Sequence, residues 1–285
     1  MASMRDIKRR KESVASTGQI TKAMKLVSTV KLQKAKARAE SNKPYFTMLY
    51  DTMCSILARS GGMEHRYLTA GDSTRKAVIT ITGNRGLAGG YNNNIVKEIA
   101  AAFSPEETDI YAVGRKGIEN LSRKGYKIVE DYSEVINEPL YGDAIKIGKN
   151  VLASFEEGEV GEIYLAYTSF KNMVTQEPQL IKLLPINVEE IMQDVEVDIL
   201  TPMNFEPEAD EALDMIIPKY INNILYGAFI ESIASENGAR MQAMDSATKN
   251  ADDMIADLSL KYNRARQSSI TQELTEIIAG AEAIS

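Results

Sequence analysis

Tryptophan is absent from the 285 residues, and the chain holds a single cysteine and a single histidine. One cysteine excludes an internal disulfide bond and fits a reducing compartment, where thiols stay unpaired. His65 lacks a second histidine, so we predict no structural zinc site of the usual ligand sets. Aromatic residues make up only 7% of the chain. Aliphatic side chains and thirteen methionines must therefore fill the core, which suits helix seams.

Long hydrophobic runs are also missing. No stretch approaches the 18 or more apolar residues of a membrane span. The segment Met1–Lys11 is charged and has no apolar centre, so we do not expect a secretory signal.

A catalytic constellation is the third absence. The glycine-rich stretch from Gly83 to Gly90 follows a β-rich run and precedes a helical pattern, the layout of a phosphate-binding turn. Its glycines, at 83, 86, 89 and 90, match neither G-x-G-x-x-G nor a Walker A loop. With no nucleophile, base and acid set elsewhere, we predict a tight structural turn, no bound cofactor and no catalytic residue.

The C-terminal stretch 208–285 contains one proline and three glycines and is predicted to form one long helix. Small or apolar residues recur along it at a mean step of about 3.4, close to the 3.5 of a left-handed coiled coil. These seam candidates are Met241, Met244, Ala247, Ala251, Met254, Leu258, Tyr262 and Ala265. A helix of this length cannot form a compact domain alone, so it requires a partner helix.

The N-terminal stretch supplies that partner. Residues 3–57 are predicted to be helical, with a kink or short break near Pro44 and an end at Gly61 and Gly62. Its seam candidates are Ile7, Val14, Ile20, Met24, Val27, Val30, Leu49, Met53 and Ile56. Residues 1–43 carry a net charge of +9 and residues 208–285 a net charge of −7. Opposite charges favour an antiparallel coiled coil of the two arms.

The middle of the chain alternates strands and helices, which predicts a small α/β domain with a mostly parallel sheet. The expected strands are 76–82, 109–113, 126–132, 162–170 and 179–184, and the expected helices are 91–103, 115–124 and 143–156. We therefore predict a mixed α/β fold of three parts. These are an N-terminal coiled-coil helix (1–62), a Rossmann-like domain (75–200) and a C-terminal coiled-coil helix (208–285).

Three segments closely resemble the gamma subunit of bacterial F-type ATP synthases. They are ITKAMKLV at 20–27, GNRGLAGG at 83–90 and YNRARQSSITQELTEI at 262–277. The resemblance covers the whole chain in order, and it departs at Ala88, where many family members have cysteine. It implies a non-catalytic central rotor shaft that couples ion flow through the membrane c ring to ATP synthesis or hydrolysis. The implied partners are the alpha and beta subunits, the epsilon subunit and the c ring, with one copy of the shaft per complex.

The same resemblance implies functional residues. The positions that match family contacts to the alpha and beta subunits are Lys22, Met24, Lys25, Arg240, Arg266, Gln267, Thr271 and Glu273. Phe205, Glu206 and Pro207 match the foot that meets the c ring. The implied location is the bacterial cell membrane, peripheral on its cytoplasmic side.

Other readings stay open at this point. The basic residues of the N-terminal arm could bind phosphates, but no nucleic-acid motif accompanies them, so we expect no nucleic-acid partner. A nucleotide-binding α/β enzyme with coiled-coil arms and a free-standing coiled-coil adaptor are the two functional alternatives. Neither accounts for the specific C-terminal motif.

Overall fold

A computed structural model describes residues 4–59, 65–188 and 209–282 of the chain. In the sequence, an α/β segment lies between two long helices, α1 (Met4–Arg59) and α5 (Ala209–Glu282). That segment contains β1 (Lys76–Ile81), α2 (Tyr91–Ala102), β2 (Thr108–Val113), α3 (Arg115–Arg123), β3 (Lys127–Asp131), α4 (Tyr141–Glu156), β4 (Glu162–Phe170) and β5 (Gln176–Leu184). These elements belong to two compact units: one combines the described residues of 1–28 and 241–285, and the other is 29–240.

Both long helices run through a proline. Pro44 lies inside α1 and Pro218 inside α5, and the helix is assigned without interruption at each position. The break predicted as one possibility at Pro44 is therefore not found. Pro44 and Glu40 are both exposed, so the Glu40 carbonyl that loses its helical partner can accept a hydrogen bond from water.

The first unit pairs the start of α1 with the end of α5. On α1, buried and half-buried positions alternate in steps of four and three. The positions that follow this repeat are Ile7, Lys11, Val14, Gly18, Thr21, Lys25 and Ser28, and Ala15 and Met24 beside them are also half-buried. This spacing is the 3.5-residue repeat of a coiled coil. The prediction was wrong at Ile20 and Val27, which are exposed, because small and polar side chains form this seam instead of the largest apolar ones. Val30, which follows this unit on α1, was also predicted wrongly and is 52% exposed.

The seam of α5 has the same repeat. Its covered positions are Met241, Met244, Thr248, Ala251, Ile255, Leu258, Tyr262, Ala265 and Ser269. Most of the predicted seam residues are among them, and Ala247 is also half-buried. Met254 was assigned wrongly: it is 41% exposed, and its neighbour Ile255 takes the seam position that the regular alternation of steps requires.

Three contacts establish that the two helices are antiparallel in the first unit. A β-carbon placed on Gly18 would lie 3.3 Å from the Ala251 β-carbon. The hydroxyl oxygens of Thr21 and Thr248 are 2.8 Å apart, and Lys25 Nζ lies 2.6 Å from Asp245 Oδ1. As residue numbers rise along α1, the partners on α5 fall. The predicted antiparallel coiled coil is thus present.

The second unit is built on a five-stranded sheet in the order β3-β2-β1-β4-β5. The first four strands are parallel, and β5 is antiparallel to β4. β1 is central, with Val78 opposite Ile110 of β2 and Tyr164 of β4. The mostly parallel, Rossmann-like sheet is as predicted. β5 begins three residues earlier than expected because this edge strand continues through Pro178, where a missing N–H is tolerated.

Side chains that alternate along the strands fill two cores. Ala77, Ile79 and Ile81 of β1 join a core shared with α4, the end of α1 and the start of α5. Val78 points the other way, into a core with α2 and α3. The sheet is therefore covered on both faces, as parallel sheets require. Since α1 and α5 contribute to the first core, both long helices are anchored in the α/β domain of this unit.

Candidate functional site

The end of α5 is a polar surface with an apolar face beside it. Arg266, Gln267, Thr271 and Glu273, the residues expected to contact partners, are all exposed. The Thr271 hydroxyl donates to the Gln267 carbonyl at 2.9 Å. Within the described part of the chain, no ion pair holds the Arg266 guanidinium, so its donors are available to another molecule.

The apolar face of the same segment was not among the predicted site residues. Ile270, Leu274, Ile277 and Ile278 are each about half exposed or more. Their spacing of i, i+4, i+7 and i+8 places them on one side of the helix. That spacing was readable in the sequence. From Ile270 to Ala281 every residue is exposed, so this face has no cover among the described residues.

The predicted residues on α1 differ in their surroundings. Lys22 is exposed and Met24 is half-buried. Lys25 is held by Asp245 across the coil, and Lys249 also lies 2.9 Å from that carboxylate. Hydrogen bonds from Lys25 and Lys249 lower the pKa of Asp245 to about 2. The Lys25 ammonium thus has a partner inside the chain.

Arg240 lies in the second unit and is nearly covered, with 11% of its side chain exposed. Its Nη2 is 2.5 Å from Glu236 Oε1, and it donates to the Gly86 carbonyl at 3.3 Å. The residue therefore contacts the glycine-rich turn 83–90, although Arg240 and Gly86 are 154 positions apart in the sequence.

The glycine-rich turn connects β1 to α2 at the point where the strand order reverses. In Rossmann-like sheets, ligands bind in the crevice outside the carboxyl ends of the strands at this point. Here α5 lies against those ends. The Ser235 hydroxyl donates to the Thr168 carbonyl at 3.1 Å, and a β-carbon on Gly83 would lie 2.6 Å from Glu236 Oε1. Side chains of α5 therefore lie directly beside the turn at which a phosphate binds in such sheets.

Tyr91, the first residue of α2, lies close to Glu236 of α5. Its side chain is buried, and burial, with the Glu236 carboxylate nearby, raises the pKa of the Tyr91 phenol.

Within residues 4–59, 65–188 and 209–282, no group of three or more His, Cys, Asp or Glu side chains is placed to hold a metal ion. Over the same ranges, no helix combines the length and apolarity that a membrane crossing needs.

Comparison with known proteins agrees with the resemblance seen in the motifs. Residues 3–284 match the family model described as ATP synthase. An ATP synthase gamma chain from Lachnoclostridium phytofermentans is 67% identical, over all of both chains. The chain belongs to the ATP synthase gamma chain family. A gamma chain from Acetobacterium woodii, named as sodium ion specific, is 39% identical over 99% of this chain and 98% of that relative.

Solved structures share the fold of this gamma-chain family member. The rotor of the Euglena gracilis mitochondrial ATP synthase in rotational state 1 matches with a TM-score of 0.66 at 18% identity, over 94% of this chain and 98% of that one. A second Euglena gracilis structure, comprising OSCP, F1 and c ring, matches with a TM-score of 0.68 at 18% identity, over 99% and 94%. The gamma chain is a subunit of ATP synthase, and its relatives are named as such.

The remaining predicted site residues of this gamma chain are Phe205, Glu206 and Pro207. They lie outside the described residues. The expected helix end at Gly61 and Gly62 also falls outside them.

Proposed function

We propose that this chain is the central rotor shaft of an F-type ATP synthase. Ion flow through a membrane c ring turns it, and its rotation drives ATP synthesis or hydrolysis in a ring of alpha and beta subunits. The observation that carries the proposal is full-length identity of 67% to an ATP synthase gamma chain. The antiparallel coiled coil and the packing of α5 against the glycine-rich turn fit a mechanical part better than a catalytic one.

The proposed partners are the alpha and beta subunits, the epsilon subunit and the c ring, with one shaft per complex. The solved neighbours are described as rotor, F1 and c-ring assemblies, which supports this set. We place the chain at the bacterial membrane, peripheral and on the cytoplasmic side, as part of the complex.

The end of α5 is the surface proposed to work against the alpha and beta subunits. Arg266 and Gln267 are exposed donors, and Thr271 and Glu273 follow on the next turns. The uncovered apolar face at 270–278 adds area that a surrounding protein would bury. The polar groups would make specific hydrogen bonds with a partner, and the apolar face beside them would be buried against it.

The other predicted contacts are proposed with the same partners. Lys22 and Met24 would face the alpha and beta subunits, and Lys25 would do so while paired with Asp245. Phe205, Glu206 and Pro207 are proposed as the c-ring foot from their match to the family. Arg240 has a different environment, because its side chain is nearly covered and paired with Glu236.

The proposal is tested by isolating the tagged chain from its native membranes, identifying the proteins recovered with it, and assaying ATP hydrolysis. We expect alpha, beta and epsilon subunits to be recovered with an activity that the isolated chain lacks. A chain recovered alone, or one that hydrolyses ATP by itself, would contradict the rotor function.

A further inference from the structure

Glu236 and Arg240 form a covered ion pair one helical turn apart on α5. Their side chains are only 12% and 11% exposed, and the contact atoms are 2.5 Å apart. An exposed ion pair on a helix contributes little to stability and is screened by salt. This pair is shielded by the second unit itself, so both groups are engaged before any partner is present.

The pair is directed at the glycine-rich turn 83–90. Arg240 donates to the Gly86 carbonyl, and the Glu236 carboxylate lies so close to Gly83 that a side chain there would collide with it. Asn92 of α2 also binds the turn: its Oδ1 accepts from the Gly83 N–H at 2.8 Å, and its Nδ2 donates to the Arg85 carbonyl at 3.3 Å. The turn is thus held by α5 and by α2.

The conformation held in this way is an unfavourable one. Leu87 has a φ of 62°, in the left-handed region that residues other than glycine rarely adopt, and Gly89 has a φ of 56°. Leu87 is 65% exposed, whereas the neighbouring Ala88 is buried. A backbone in a sparsely populated region persists only where surrounding contacts fix it. The contacts from Glu236, Arg240 and Asn92 are such restraints.

We propose that Arg240, with Glu236, is a positioning residue that fixes the turn 83–90 to α5, and that it affects ATP turnover through the turn. It does not act by contacting the alpha or beta subunits itself. The effect on turnover rests on the proposed rotor function, whereas the effect on the turn does not. The two parts can therefore be tested separately.

The first experiment measures hydrogen exchange in the full chain. Arg240→Ala should speed exchange in the 83–90 turn about tenfold, the factor that corresponds to losing one hydrogen bond to a charged group. Asn92→Ala should do the same, and Arg240→Lys, which keeps the charge beside Glu236, should restore much of the protection. Arg266→Ala is the matched control and should leave the turn unchanged. Unchanged exchange in Arg240→Ala would overturn the positioning role.

The second experiment measures ATP turnover in the assembled complex for the same variants. If Arg240 acts through the turn, Arg240→Ala and Asn92→Ala lower kcat alike, the double variant is no slower than the slower single one, and Arg240→Lys recovers kcat. Additive losses, or a loss in Arg240→Ala alone, would overturn the proposal in favour of a direct contact. If the turn loosens while every variant, including Arg266→Ala, keeps full turnover, positioning stands and the rotor function loses support.

Discussion

At the scale of single residues, polar side chains in the seam fix the alignment of the two helices in the first unit. A purely aliphatic seam can slip by one heptad at moderate cost, whereas a polar pair at one level specifies register. Thr21 meets Thr248, and Lys25 meets Asp245 in the next layer. A slip would leave these groups without partners, so the register depends on a few atoms.

The Asp245 carboxylate makes this register sensitive to acid. Its pKa is lowered to about 2 from an ordinary value of 3.8, so its contribution to stability is present above about pH 4 and is lost as the pH falls toward 2. We expect Asp245→Asn to lower the melting temperature at pH 5, with the difference from wild type disappearing near pH 2. Circular dichroism across this range measures both. Asp257→Asn is the control, since its ion pair with Lys261 is exposed. A constant difference at all pH values would contradict the assignment.

Arg266 and Gln267 carry the proposed contact at the end of α5. Arg266→Ala with Gln267→Ala should leave the complex assembled and lower ATP turnover, because each bond to a charged group is worth about 1.5 to 3 kcal/mol. Arg264→Ala is the matched control, since two residues turn the helix by about 200° and point this arginine elsewhere. Assembly is checked by gel filtration and turnover by a coupled assay. Wild-type turnover in the double variant would refute the contact.

At the scale of elements, the contribution of an apolar residue of α5 to the free energy of unfolding depends on whether it lies in the seam. Leu258 and Leu260 are the same residue type two positions apart, but one is 7% exposed and the other 60%. Leu258→Ala should lower the free energy of unfolding by about 2 to 3 kcal/mol, since it removes buried methyl groups. Leu260→Ala should change it by less than about 0.5 kcal/mol. Urea denaturation of the full chain measures both, and equal effects would show that the seam is assigned wrongly.

Much of this element structure could be predicted from the sequence. Strand β4 has the predicted limits, and most other elements differ from prediction by a residue or two, because glycines, prolines and β-branched runs mark their ends. The seam of α1 could be predicted only in part: Ile7 and Val14 lie in it as expected, but Ile20 and Val27 do not. A prediction from hydrophobicity places Ile20 and Val27 in the seam. The seam instead contains Gly18, Thr21 and Ser28, because their small size allows the helices to pack closely.

The candidate site could also be predicted only in part from the sequence. The exposed residues at the end of α5 were predicted as partner contacts from the motif, and their exposure is compatible with that role. The environment of Arg240 could not be predicted, because its contact with Gly86 joins residues 154 positions apart in the sequence. Local patterns carry no information on such a pairing, which only the folded chain brings together.

At the scale of the whole molecule, a long helix packs against the edge of the sheet at which nucleotides bind in many α/β folds. The helix that packs on the sheet, α5, places Ser235 and Glu236 at the carboxyl ends of β4 and β1. A fold used by many enzymes therefore serves as a support for the ends of two helices.

The isolated chain is accordingly expected not to bind ATP or NAD. A ligand present at a hundred times its Kd would add about 2.7 kcal/mol to the free energy of unfolding and would raise the melting temperature. We expect no shift with millimolar ATP or NAD in a thermal melt of the isolated chain. A saturable shift would favour the nucleotide-binding alternative, and the turn at Gly83 would then be the first place to look for the nucleotide site.

The uninterrupted course of α5 over 74 residues has a consequence for how the gene can change. Inserting or deleting one codon within the helix would rotate every later side chain by about 100° and shift it by about 1.5 Å. Seven codons together would restore the phase of the seam to within about 20°. Length changes between related chains should therefore accumulate in the connections of the α/β domain, while α5 varies by substitution alone.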